Sequence, residues 1–367
     1  MGVVDLFTEL AALPSPSGEE RAVADRVAAE LTALGLAVDE DDTATATGST
    51  IGNLLARLEP TAPGTPLFLC AHLDTVPPTA RIEPVEEDGI VRNAGGTILG
   101  ADDKSAVAAM VEAVRRVVEE VRPHAGIELL FTPKEEVGLV GAFAFDHTKL
   151  HARTGYVYDQ AAPIGTVILG APAAHTIDVR FHGRAAHAGM YPEEGRSAIA
   201  AAARAIADLR LGRVDDETTA NVGVVSGGSA VNVVPEWCDV HAEARSHDEA
   251  KLADLVQEML DAFSFAANGA DCEVEAAVSR TYGAYRFRRD DEVVRIAVAA
   301  LRACGYEPEF TLSGGAADAN VFNERGLACL NLANGMTDIH TPAERIAVTD
   351  LEAMVDVTLA LLEAARA

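Results

Sequence analysis

Leu67-Phe-Leu-Cys-Ala-His72-Leu-Asp74-Thr-Val76 is an apolar run that ends in an imidazole and a carboxylate. Leu67 to Ala71, beside Gly/Pro-rich punctuation, reads as a buried strand. Side chains alternate along a strand, so His72 and Asp74 leave its carboxyl end pointing the same way. A histidine that binds metal through one ring nitrogen usually donates its other N–H to an oxygen, which fixes its tautomer and direction. His-x-Asp at a strand end suits that arrangement. It also suits a plain structural hydrogen bond, and the pair alone does not separate the two.

The chain on either side sets the fold class. Strands are expected at Asn53 to Leu58, Ile127 to Phe131, Thr154 to Asp159 and Ala328 to Leu332. Helices are expected from Ser105 to Val121, Asp291 to Cys304 and Thr349 to Ala364, and another follows a capping box at Ser17-Gly-Glu-Glu20. Strands alternating with helices predict an α/β layer: a mixed, largely parallel sheet flanked by helices. In such sheets ligands gather at the strands' carboxyl ends, where His72, Glu135, Glu136 and Asp159 fall.

After Gly170 the texture changes. Two strand–helix–strand passages, with helices at Gly195 to Leu209 and Asp248 to Phe263, predict an inserted ferredoxin-like α+β domain. The expected division is 1–171 with 284–367 for one domain and 172–283 for the insertion.

Composition narrows the partners. A formal net charge of −28 disfavours nucleic acid or an anionic membrane surface, both of the same sign. Five scattered cysteines without Cys-x-x-Cys spacing read as small buried residues of a reducing compartment. With no apolar leader and no run of membrane-spanning length, the expected location is cytoplasmic.

Three further clusters carry candidate chemistry. Gly100-Ala-Asp102-Asp103-Lys104-Ser105 opens the Ala-rich helix, where paired acids also serve as ordinary caps. Thr132-Pro-Lys-Glu135-Glu136-Val-Gly138 follows a strand; adjacent glutamates suit either a solvated surface or a ligand and a base beside a cation. Thr337-Asp-Ile-His340-Thr-Pro-Ala-Glu344 supplies a second histidine before the last helix.

In this order the motifs resemble the dinuclear-zinc metallopeptidase family that includes peptidase T, aminoacylase and succinyl-diaminopimelate desuccinylase. The match runs over essentially the whole chain, from Pro14-Ser-Pro-Ser-Gly-Glu19 to His340. The resemblance implies two Zn²⁺ per subunit, with Co²⁺ or Mn²⁺ as alternatives. His72 and Asp159 would bind one cation, Glu136 and His340 the other, and Asp102 both. Asp74 would orient His72, Glu135 would be the general base, and the Asp102-Asp103 peptide would be cis. In the insertion, Gly183-Arg-Ala-Ala-His187 resembles the segment whose histidine reaches a partner's active site, so the insertion would be a lid and a homodimer interface. Asn232 and Arg245 resemble residues that bind substrate, although Arg245 equally suits an ion pair with Glu243 or Asp248 and Asn232 a turn cap. In Ser313-Gly-Gly-Ala-Ala-Asp318, amides of Gly314 and Gly315 suit a substrate carboxylate.

Substrate class turns on Asp159. Acyl-removing and carboxypeptidase members of the family generally carry glutamate there, and peptidase T relatives aspartate. The implied activity is therefore an aminopeptidase of tripeptides or dipeptides. A deacylase of N-acyl amino acids and a catalytically silent peptide-binding dimer are the alternatives.

Overall fold

The computed structural model describes residues 2–366 and divides into two compact units, 1–170 with 286–367, and 171–285. The first is built on a mixed sheet. Its centre is four parallel strands in the order Ile127–Thr132, Leu67–His72, Thr154–Val157, Ala328–Leu332. Antiparallel strands flank them, Leu54–Leu58 on one side and Thr166–Ala171 on the other. The parallel strands are buried on both faces, which explains their continuous apolar runs.

Register brings the functional ends together. Leu67 pairs with both Ile127 and Thr154, so the three strands finish nearly level, at His72, Thr132 and Val157. Gly155 lies opposite Phe68, and a Cβ there would stand 2.3 Å from the Phe68 ring. The ring instead packs edge-on against Phe322, centroids 5.2 Å apart, a pairing worth about 0.5–1.5 kcal/mol beyond burial.

The helix Ala101–Glu119 is buried along most of its length and packs against Val3–Ala12, Val348–Ala364 and the His72 strand. Its first turn is broken: Asp102 and Asp103 leave helical geometry, and the peptide between them is cis, as the family resemblance implies. The expected capping box at Ser17 is not formed. The helix Arg21–Ala33 starts after Glu20 without a side-chain cap, because the Ser17 hydroxyl donates to Asp74 and Glu20 accepts from Gly18, Ser49 and Lys134.

The second unit runs strand Ala173–His182, helix Ala198–Asp208, strands Thr218–Gly227 and Trp237–Ser246, helix Glu249–Gly269 and strand Glu273–Tyr282. Its main strands, numbered in that sequence, lie antiparallel in the order 2-3-1-4, the ferredoxin-like topology. Both helices cover one face and close a core around Ile177, Phe181, Val240, Met259 and Phe263. Among the described residues no helix is long and apolar enough to cross a membrane.

Candidate metal centre

Asp74 organises the end of the His72 strand. It is fully buried, and its carboxylate accepts from the Ser17 hydroxyl at 2.6 Å and from the amides of Glu135 at 2.9 Å and Glu136 at 3.2 Å. His72 Nδ1 lies 3.0 Å from the Asp74 carbonyl and 3.5 Å from its carboxylate. Burial alone would push this carboxyl up, but the imidazole, the Ser17 hydroxyl and the Glu135 amide hold it below the ordinary range. One acid therefore aims His72 and also fixes the backbone of the Glu135-Glu136 loop. Lys134, at the base of that loop, holds a left-handed φ of 57°, with its amide on Glu20 and its Nζ on the Thr47 carbonyl.

Asp102 lies between the two histidines. Its Oδ1 is 3.1 Å from His72 Nε2 and its Oδ2 is 3.1 Å from His340 Nε2; Glu136 Oε1 is 3.0 Å from the same His340 nitrogen. Two triads result, His72–Asp102–Asp159 and Asp102–Glu136–His340, each with ligand atoms within 4.8 Å of one another. Asp159 is placed by Asn331, which accepts from its amide at 3.0 Å and donates to its carbonyl at 2.7 Å.

The donor set fits a pair of divalent cations. Each triad offers one imidazole and two carboxylates, the mixture favoured by Zn²⁺ and tolerated by Mn²⁺ and Co²⁺. Ligands about 2.0–2.1 Å from a tetrahedral ion lie about 3.3 Å apart, close to the 3.1 Å from Asp102 to each histidine and the 3.0 Å from Glu136 to His340. Since His72 Nδ1 is engaged with Asp74, Nε2 is the nitrogen left to bind. Electrostatics agree. Burial and then the charge of Asp159 push the Glu135 carboxyl well up, and burial and then Asp102 do the same to Asp159. His340 is raised to about 10 by its hydrogen bonds to Asp102 and Glu136. A centre that drives its own acids to keep protons has too little positive charge, and cations supply it.

Four buried polar residues around this cluster had no role assigned from sequence. Glu344 accepts three backbone amides before and within the Asp102 turn. Asp318 accepts from Thr132 at 2.5 Å, and its other oxygen is buried without a partner. Lys104 is fully buried, donates to the Leu13 carbonyl, and is pulled down to about 7 by burial against the charges of Glu344 and Asp74. Asp103 has both oxygens buried and unpartnered. All four sit inside motifs visible in the sequence, but the partners of Glu344, Asp318 and Lys104 are backbone atoms or residues distant in the chain, and spacing carries no signal of those.

The remaining candidates divide. Gly315 gives its amide to the Ser313 hydroxyl at 3.1 Å, which leaves that N–H committed within the loop; a Cβ at Gly314 would meet nothing within 4 Å. In the second unit His187 and Asn232 are exposed and adjoin one another, the Ala188 amide bonding to the Asn232 carbonyl. His187 Nδ1 accepts from the amides of Gly189 at 3.2 Å and Met190 at 3.1 Å, so the ring proton sits on Nε2. Arg245 is paired with Glu243 at 2.9 Å, the simpler of its two readings, and its Nε is buried without a partner.

A parallel-sheet unit whose strand ends collect two imidazole–carboxylate triads, with a ferredoxin-like unit inserted in its sequence, defines the metallopeptidase class. Residues 170–270 match the peptidase dimerisation domain and residues 53–168 match peptidase family M28. The chain is 38% identical to the uncharacterized protein YqjE of Bacillus subtilis over 363 residues, 99% of this chain and 98% of the other. Aminopeptidase PepT from Bacillus cereus is 38% identical with a TM-score of 0.91, and a tripeptidase from Staphylococcus aureus is 35% identical with a TM-score of 0.95. Each of these two structures matches 100% of this chain, with 98% of its own covered. The chain belongs to the peptidase T-like family of metallopeptidases.

Proposed function

We propose that the protein is a cytoplasmic aminopeptidase of tripeptides and dipeptides, working as a homodimer through the inserted unit with two Zn²⁺ per subunit. The observation that carries this reading is Asp102, with one oxygen toward each histidine, beside a glutamate that belongs to neither triad. His72, Asp102 and Asp159 would hold one cation, and Asp102, Glu136 and His340 the other. Bound cations supply Lewis-acid polarisation of a peptide carbonyl and acidify water at the centre.

The rest of the chemistry belongs to the chain. Glu135, its proton affinity raised by burial and by Asp159, takes a proton from the attacking water and returns it to the leaving amine. Its backbone is fixed by Asp74, so the carboxylate reaches the water from a set position. His187, from the second copy, donates Nε2–H to the developing oxyanion. Asn232 and Arg245 bind the peptide's backbone and carboxylate, with Gly314 as a further amide.

What supports the substrate class is Asp159, together with the similarity to an aminopeptidase and a tripeptidase along the whole chain. The test is a matched pair of tripeptides, one with a free and one with an acetylated amino terminus, offered to metal-loaded protein. Cleavage of the free peptide alone is expected; preferential release of acetate would make the protein a deacylase. Glu135→Gln should lower kcat by roughly 10²–10⁴-fold at unchanged metal content.

A further inference from the structure

His340 and Glu344 share one loop. Its base is closed by two backbone bonds, Thr337 N–H to the Arg345 carbonyl at 3.0 Å and Arg345 N–H to the Thr337 carbonyl at 3.1 Å. His340, in the left-handed region at φ 61°, is exposed at its tip, whereas Glu344 is 2% exposed. The Glu344 Oε2 accepts the amides of Leu99 at 2.8 Å and Gly100 at 2.9 Å, and Oε1 accepts that of Asp102 at 3.0 Å. These amides lead into and open the helix Ala101–Glu119, where backbone N–H groups favour an anion. Gly100, at φ 79°, turns the chain between those two amides and the amide of Asp102.

A carboxylate from the His340 loop thus closes over the turn that presents Asp102, across 242 residues of chain. Resting on the metal-centre reading, we propose that Glu344 is a positioning residue for the metal pair. It locks the His340 loop to the Asp102 turn, so that the Asp102–Glu136–His340 triad is formed before a cation arrives. The other triad shares Asp102 but holds its two remaining ligands by separate anchors: His72 by its strand and by Asp74, and Asp159 by Asn331. Losing Glu344 should therefore be felt unequally at the two cations.

The experiment is a Zn²⁺ titration of metal-free wild type, Glu344→Gln and Glu344→Asp against a chelator of known affinity, with hydrogen exchange of the metal-free proteins alongside. Gln keeps the volume but turns an amide toward backbone donors; Asp keeps the charge but falls one methylene short. The expected result is two cations for wild type, and in Glu344→Gln one cation weakened about 10–100-fold and the other, which shares Asp102, weakened less. Exchange should quicken at residues 99–102 and in the His340 loop but not across the sheet, and Glu344→Asp should recover part of the affinity. Equal weakening of both cations, or of neither, would overturn the role, as would failure of both variants to fold, which would make Glu344 a residue of global stability. A wild type that takes up no cation overturns the metal-centre reading itself.

Discussion

The two units hold their candidate residues in opposite ways. In the first, the ligand-bearing segments are fixed by buried polar partners: Asp74 for His72 and the Glu135-Glu136 loop, Asn331 for Asp159, Glu344 for the Asp102 turn. In the second, His187 and Asn232 are exposed and their anchors are local backbone bonds. A cation site is best held in place before the cation arrives, because ordering its ligands on binding would cost affinity. Groups that meet a substrate or a second copy can stay solvated until it comes. Substitutions of the candidate ligands and their principal anchors in the first unit should therefore act on metal binding, and substitutions in the second on turnover alone.

Asp102→Ala against His187→Ala is the sharpest break in that comparison. Removing Asp102 deletes a ligand from both triads, so metal content should fall to near zero and kcat/KM by on the order of 10⁴-fold or more. Removing His187 should leave metal content at two per chain and lower kcat by roughly 10²–10³-fold, as for one lost oxyanion donor. Elemental analysis with steady-state kinetics reads both. Metal loss in His187→Ala would erase the distinction between the units.

Much of this was legible from the chain alone, for physical reasons. Buried parallel strands must be continuous apolar runs, so the functional strand ends stood out; acids and histidines that follow such ends have few other places to point. The supporting shell was not legible. Ser17 looked like the start of a capping box because Ser-x-x-Glu is a local pattern, yet its hydroxyl goes to Asp74, 57 residues away. Glu344 bonds only to main-chain amides, which every residue but proline possesses, and no side-chain pattern marks a backbone partner. The ferredoxin-like insertion was legible through its alternation of strands and helices, and the choice of Glu243 by Arg245 follows from strand alternation, which puts residues two apart on one face.

pH sharpens the comparison with a smaller effect. In the metal-free protein His340 is raised to about 10, above its ordinary 6.5. A raised group stabilises the fold fully below its unfolded pKa and loses that contribution as pH climbs through its folded one. Metal-free stability from this group should fade between about pH 6.5 and 10, and the raised Glu135 and Asp159 act in the same direction. Cation affinity should do the reverse. Each ligand proton displaced adds about tenfold affinity per pH unit until that ligand is deprotonated. Calorimetry in buffers of different ionisation enthalpy counts the protons released, and a pH-independent affinity between 6 and 9 would contradict the protonated His340.

The gentlest probe is Ser17→Ala. The Ser17 hydroxyl is one of three donors to the Asp74 carboxylate; the amides of Glu135 and Glu136 remain, and His72 stays bonded to the Asp74 carbonyl. Loss of one hydrogen bond to a charged group costs about 1.5–3 kcal/mol, here at the lower end because Ser17 is half-buried and water can reach its place. Metal content should remain at two per chain, with cation affinity reduced by less than about 10-fold. The loss should appear at both cations, since Asp74 serves His72 of one triad and the backbone of Glu136 in the other. That shared loss is what separates Ser17 from Glu344, and chelator competition resolves it; weakening confined to one cation would mean that Asp74 supports a single triad.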